Sequence, residues 1–450
     1  MTTNRGAKTP GVDNVIWRTD RQKLLAADNL KRHGYKPKPL RRTYIPKKNG
    51  KLRPLSIPTM HDRAMQALHA LALIPVAETG ADPNSYGFRE GRSCADALEH
   101  VHLVLCKKRS PQWVLEGDIR ACFDEIGHRW LLQHVLMDRQ ILRKWLKAGY
   151  WEKGQLFPTR KGTPQGGVIS PVLANLALDG MQKAISQAVS KTGDKVNFVR
   201  YADDFIVTGA TQELLEQKVK PAVTAFLSPR GLELSEQKTV ITHINKGFNF
   251  LGHTARKFGD KLLTTPAKSN VQALRDKIRL CIQSARGLSP EALLHQLNPL
   301  IRGWANYYRH GAAKRTFKRL DHYVIWQLWR WAKRRHPEKS ATWKQRKYFS
   351  AAKGTFSVRL TKGQEEAQVL TLYKAASTRI QRHIKIRGAA NPYDPDYTRY
   401  FETRHPKGRR WRQAEGNVPT PQGQNSTRIV AHWLQLAAAC PLQGAPVEEA

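Results

Sequence analysis

The spacing of apolar residues changes character twice along this 450-residue chain. Over the first hundred residues it comes in short, strand-like pieces broken by turns. "RRTYIPKKNGKLRPLSIPT" (41–59) reads as a hairpin about Asn49-Gly50, because Asn and Gly accept the left-handed backbone of a two-residue turn. In "HDRAMQALHALALIPVAE" (61–78) the spacing of Met65, Leu68, Ala72 and Val76 predicts a helix packed through that face. "SYGFREGRSCADAL" (85–98) is a Gly-containing, Arg-bearing loop opening another helix. The middle of the chain turns to apolar runs of strand length. "WVLEGDIRACFDEI" (113–126) predicts a strand with Asp118 at its end. "FVRYADDFIVTG" (198–209) predicts two strands joined at Ala202-Asp203-Asp204. Between them "KGTPQGGVISPVLANLALDGM" (161–181) feeds a Gly-rich loop into an apolar helix, and "GLELSEQKTVIT" and "FNFLGHTAR" supply further strands. Beyond Leu263 the period becomes helical. Phe317, Leu320, Val324, Leu328 and Trp331 share one face, while Lys314, Lys318 and His322 fall on another. Strands followed by a helical bundle define an α+β protein.

Charge changes the picture. Lys and Arg number 76 against 36 Asp and Glu, a formal net charge of +40. A surface this basic repels itself, and polyphosphate is the partner that best explains it. An anionic membrane is the rival. No stretch approaches the roughly 18 consecutive apolar residues of a spanning helix, however, and the start carries no signal-like apolar region. The five cysteines are isolated and never form a CxxC pair, so neither a zinc knuckle nor a disulfide framework is indicated, and a reducing cytoplasm is the expected setting.

Against that basic background the adjacent carboxylates of "YADDF" (201–205) stand out. An Asp pair in a turn is ordinary by itself. Asp118 at a strand end and Asp203 at the tip of a neighbouring hairpin, however, are what a divalent-metal site needs. Joining a nucleotide to a 3′-hydroxyl uses two metal ions roughly 3.5–4 Å apart, bridged by hard oxygen ligands. Adjacent strand residues point to opposite faces, so Asp118 and Asp203 are expected as principal ligands and Asp204 as a supporting one.

"SYGFREGRS", "DIRACFDEI", "GTPQGGVISPVLANLALDGM" and "YADDF", in that order, resemble the reverse transcriptases encoded by bacterial group II introns. The resemblance runs from "NRGAKTPGVD" (4–13) to "NPYDPDYTRYFETR" (391–404). It implies a right-hand polymerase. Residues 1–100 would be fingers, 101–262 a palm carrying Asp118, Asp203 and Asp204, 263–340 a helical thumb or maturase domain, and 341–404 a DNA-binding region. The activity implied is RNA-directed DNA synthesis with two Mg²⁺ ions, together with a maturase role. The partners implied are the intron RNA, target DNA and dNTPs, with association with the nucleoid when DNA is bound. By position Phe123 would crowd a ribose 2′-hydroxyl, and Gln165 would approach the incoming nucleotide. Lys238 would sit beside the metals and primer, and Lys51 and Arg53 would touch the triphosphate. Lys314, Arg315, Lys318 and Arg319 would meet RNA on the basic helical face, where cations and aromatic rings together suit a backbone and its exposed bases.

Two departures from the resemblance lead to further expectations. The resemblance implies a further segment ahead of "TTNRGAKTPGVD", where this chain begins, so either an internal start or a lost segment is expected. After Thr403 only Cys440, His405 and His432 could serve as soft metal ligands, so no HNH nuclease is expected and the tail from about Pro406 is expected to be disordered. A splicing-only maturase and a reverse transcriptase domesticated for phage defence remain the alternative readings. The oligomeric state is not legible.

Overall fold

A computed structural model describes residues 5–46, 50, 52–190, 193–285, 287–350, 354–360 and 368–404. These divide into two compact units, one ending at Asp394 and one beginning at Pro395.

Within the first unit, strands β1 (Leu40–Pro46) and β2 (Leu52–Ile57) form the predicted antiparallel hairpin. Its turn residues Lys47, Lys48, Asn49 and Lys51 lie outside the described residues. The central sheet has the order β6-β7-β3-β8, built from β3 (Trp113–Asp118), β6 (Asn197–Tyr201), β7 (Asp204–Gly209) and β8 (Val240–His243). All its pairings are antiparallel. The short strands β4 (Tyr150–Glu152) and β5 (Gln155–Phe157) extend the hairpin sheet through a parallel β1–β4 pairing.

Both faces of the central sheet are covered. On one face Leu115, Phe198, Phe205 and Val207 are buried in a core with Leu173, Ala177 and Leu178 of the helix Ser170–Leu178 and with Val219 and Val223. On the other, Val114, Val199 and Ile206 are wholly buried. This is why "DFIVTG" reads as a nearly continuous apolar run and not an alternating one. Close packing also sets a residue requirement. A Cβ at Gly117 would lie 2.1 Å from the Phe205 ring, so glycine is required opposite that aromatic.

The helix forms as Met60–Thr79, but the expected face is not the buried one. Met65 is buried, whereas Leu68, Ala72 and Val76 are exposed, and Ala70, Leu73 and Ala77 take the inner positions. The cause is polar. Asp62 accepts hydrogen bonds from the Tyr35 hydroxyl at 2.7 Å and the Thr59 hydroxyl at 2.6 Å. Arg63 donates to the carbonyls of Gly6, Thr9 and Pro58, and Gln66 accepts from the Val168 amide at 2.8 Å. Three satisfied polar side chains on the inner face rotate the helix away from the orientation that hydrophobic spacing alone indicates.

A second three-stranded sheet, β9 (Phe248–Phe250), β10 (His253–Phe258) and β11 (Lys261–Pro266), leads into helices Lys268–Ser284, Pro290–Tyr308 and Lys314–Arg335. These helices bury a second core in which Phe317, Leu320, Val324, Leu328 and Trp331 are all inside, as their spacing predicts. The helix Ala341–Tyr348 follows, and then a small sheet of β12 (Phe349–Ser350), β13 (Thr355–Leu360) and β14 (Gln368–Thr371), which contributes Phe356 and the following Leu372 to the same core. In the second unit the helix Thr398–Arg404 is described, and the tail beyond Arg404 lies outside the described residues. Among the described residues no helix is long and apolar enough to cross a membrane.

Candidate active site

Antiparallel register brings the separated carboxylates together. Asp118, last in β3, lies directly opposite Asp204, first in β7, and Asp203 sits in the turn between β6 and β7. Ala202 occupies left-handed backbone at φ +58°, which makes the turn tight enough to present consecutive carboxylates. The loop of "SYGF" closes over it: a Cβ at Gly87 would come within 2.3 Å of the Ala202 amide nitrogen. Gly87 is therefore a close-approach glycine that backs the aspartate turn.

The electrostatics follow from crowding like charges. Burial raises the Asp203 carboxyl above its usual range and Asp118 adds to this, while the charges of Arg53 and Lys238 oppose it. Asp204 is pushed up to about 6 by its dense surroundings first, then by Asp203 and Asp118. The charge of Lys238 opposes that shift, and Asp204 keeps an exposed edge toward solvent. Lys238 is the local counter-charge, its ammonium 2.8 Å from Asp118 Oδ2. Three carboxylates offer hard oxygen donors of the kind a divalent cation prefers. Among the described residues, however, no three His, Cys, Asp or Glu side chains already converge as a metal-binding group, and Asp118 is turned toward Lys238.

The neighbouring residues are fixed by backbone contacts. The Gln165 carbonyl accepts from the Ser56 amide at 2.8 Å, and its side chain donates to Asp124 Oδ2 at 2.9 Å, tying the "TPQGG" loop to β2. Gly166, at φ +120°, leaves room for the Ser56 carbonyl. The Phe123 carbonyl accepts from the Thr163 amide, and its half-buried ring meets Phe88 edge-on, with centroids 6.2 Å apart. Arg53 is exposed on β2, and Lys51 lies outside the described residues.

Beneath the turn lies a charged network that the sequence reading missed. Arg200, wholly buried in β6, donates to Asp179 at 2.6 Å and to the Ala202 carbonyl at 3.3 Å. Arg89 reaches the same Asp179 oxygen at 2.5 Å and Glu78 at 3.0 Å. The signal was present: an Arg inside the apolar run "FVRY" requires a buried counter-ion, and Asp179 closes the apolar helix "LANLALD".

On the helical region, Lys314, Arg315, Lys318 and Arg319 are exposed along one helix. The Lys314 ammonium also donates to the carbonyls of Ala376 and Thr378, which anchors it to the segment after β14. The four are therefore not equivalent.

An antiparallel palm sheet carrying carboxylates at a strand end and a hairpin turn, joined to a helical bundle, is the right-hand fold of a nucleic-acid polymerase. Comparison with known proteins narrows the class. The family described as "Reverse transcriptase (RNA-dependent DNA polymerase)" matches residues 45–255, and "Group II intron, maturase-specific domain" matches residues 271–349. Protein YkfC of Escherichia coli is 36% identical over 296 residues, covering 56% of this chain and 77% of that protein. The group II intron-encoded protein LtrA of Lactococcus lactis is 30% identical over 347 residues, covering 62% of this chain and 57% of LtrA, little more than half its length. Among solved structures, a telomerase from Candida albicans in complex with a fragment of telomeric RNA aligns at 13% identity with a TM-score of 0.42. It covers 69% of this chain and 64% of that one, a likeness too loose to bear on mechanism. The chain belongs to the reverse transcriptases encoded by bacterial group II introns, RNA-directed DNA polymerases that carry a maturase domain.

Proposed function

We propose that this protein copies group II intron RNA into DNA and binds the same RNA to assist its splicing and its mobility into target DNA. The observation that carries this reading is the Asp118–Asp204 register pair with Asp203 in the adjoining turn. When bound there, two Mg²⁺ ions would lower the pKa of a primer 3′-hydroxyl and take charge on the leaving pyrophosphate. Asp118, Asp203 and Asp204 would hold them, and Lys238 would release Asp118 as they enter. Phe123 would press against the sugar where a 2′-hydroxyl would lie and so favour dNTPs. Gln165, pinned through Asp124 and Ser56, would line the nucleotide's approach, and Arg53 with Lys51 would meet its triphosphate.

The same reading divides the chain into fingers (1–100), palm (101–262), helical thumb or maturase domain (263–340) and a DNA-binding region (341–404). Arg315, Lys318 and Arg319, with Lys314 at their edge, form the RNA-facing side of the thumb. Work on DNA would place the protein at the nucleoid of a bacterial cytoplasm. The test is primer extension on an RNA template. Asp203→Asn should abolish Mg²⁺-dependent cDNA synthesis while RNA affinity stays within a few-fold of the parent, because a ligand charge is lost and the phosphate-binding surface is not. Undiminished synthesis by this variant would remove Asp203 from the metal site.

A further inference from the structure

Away from the carboxylates, a cavity of about 370 Å³ opens between the helix Pro290–Tyr308 and the small sheet β13–β14. Its walls include Arg302, Thr355, Thr371, Tyr373, Lys374 and Ser377. The frame is rigid. Asn298 pins one edge, donating to the Thr371 carbonyl at 2.9 Å and accepting from the Tyr373 amide at 2.7 Å. Asp321 holds the next turn by accepting the Ala375 and Ala376 amides at 2.6 and 2.9 Å, and the Leu372 amide donates to Phe356 at 2.8 Å.

Three features of this cavity point to a ligand. The Arg302 guanidinium lies over the Tyr373 ring at 5.0 Å, is exposed, and has no carboxylate partner among the described residues. Thr355 is only 3% exposed, yet its hydroxyl finds no hydrogen-bond partner among the described residues. A buried polar group of this kind calls for something to satisfy it. The rest of the lining carries the hydroxyls of Thr371, Ser377 and Tyr373 and a second cation at Lys374. The Tyr373 hydroxyl is bonded to Thr378, and the Ser377 hydroxyl donates to the Lys374 carbonyl, which leaves the Ser377 oxygen able to accept. Lys374 also faces Asp321. Guanidinium and ammonium groups select an anion, with Arg able to grip a phosphate bidentately. An aromatic wall suits an unstacked base, and the volume falls in the range of roughly 300–1,000 Å³ typical of small-ligand sites.

We propose that this cavity holds one unpaired nucleotide of the intron RNA, its phosphate on Arg302 and Lys374 and its base and ribose against Tyr373 and the hydroxyls. RNA is favoured over DNA because a ribose 2′-hydroxyl both donates and accepts, and four hydroxyl side chains, Thr355, Thr371, Tyr373 and Ser377, line the site. The proposal rests on the reading of the chain as an RNA-binding maturase, and it assigns RNA contact to part of the 341–404 region that is otherwise read as DNA-binding.

The test uses the full chain, a short single-stranded RNA carrying 4-thiouridine, and the DNA of equal sequence carrying 4-thiothymidine. Irradiation should crosslink the RNA to the peptide containing Tyr373, and the DNA much less. Arg302→Gln should remove that crosslink and make the log–log salt dependence of RNA binding shallower by about 0.7, the share of one single-strand phosphate. Thr355→Val should lower RNA affinity while leaving thermal stability unchanged or raised, since its hydroxyl gives up no partner. RNA binding and cDNA synthesis that persist with crosslinks only elsewhere would overturn the pocket and leave the parent reading standing. Equal crosslinking by DNA would overturn the choice of RNA. Loss of all RNA binding and cDNA synthesis in the parent protein would overturn both.

Discussion

Lys238 and Asp118 lie 120 positions apart in the chain and meet at 2.8 Å, the ammonium occupying the carboxylate that a metal ion would need. The Lys238 side chain is largely open to solvent, so the pair is weak, about 0.2–1 kcal/mol by comparison with exposed ion pairs. Lys238→Met should therefore lower the Mg²⁺ concentration needed for half-maximal primer extension by a factor of up to about 5, the equivalent of that energy. A midpoint that stays put or rises would show that Lys238 does not compete for Asp118.

Phe123 meets Phe88 edge-on, and Phe88 is held at φ +58° with its ring half exposed. Trimming Phe123 to Ala opens the space assigned to a 2′-hydroxyl. The ratio of rNTP to dNTP incorporation should rise by about 10-fold or more, the usual range for a pocket that changes by a small group. An unaltered ratio in a folded, active variant would reduce Phe123 to a packing residue.

Gly87→Ala tests the support of the aspartate turn. The added methyl would sit 2.3 Å from the Ala202 amide, so either the "SYGF" loop or the turn must shift. A displacement near 1 Å at a reacting centre costs about 10²-fold in rate. The turnover number should fall by that order while RNA affinity changes little. Equal losses in both would point to general unfolding instead.

His253 gives a pH dependence whose sign can be worked out. Its ring is buried beside Tyr307 and Tyr308, with centroids 5.4 and 4.6 Å away, and Nδ1 is 3.1 Å from the Leu251 carbonyl. Burial first, and His310 second, push its pKa down to about 4, with the Leu251 carbonyl opposing. A depressed imidazole favours the folded state while it is neutral. Its contribution is complete above the unfolded value of about 6.5 and is lost as pH falls toward 4, on the order of 3 kcal/mol in all. His253→Gln should flatten the fall in melting temperature between pH 6.5 and about 4.5, a window set by those two values. A slope identical to the parent's would show that other groups carry the acid sensitivity.

Local chemistry was legible wherever a neighbour in sequence was also the neighbour in space. The strand-length apolar runs beside Asp118 and Asp203 and the helical stripe from Phe317 to Trp331 are local patterns, the stripe set by the 3.6 period of the backbone, which a sequence displays directly. The motif order was equally visible, and the family comparisons agree with it. The sequence could place each carboxylate at the end of an element.

Tertiary structure alone decided which of those ends meet and what else lies beneath them. The Asp118–Asp204 pairing depends on antiparallel register between segments far apart in the chain, and no local propensity encodes it. The helix Met60–Thr79 turned its Leu68 and Val76 outward because Asp62, Arg63 and Gln66 found hydrogen-bond partners in Tyr35, the 6–9 segment and Val168. The ion network of Arg200, Arg89, Asp179 and Glu78 went unseen for the same reason. A charge can be buried only when its counter-charge arrives from elsewhere in the fold, and where it arrives is a property of three-dimensional packing.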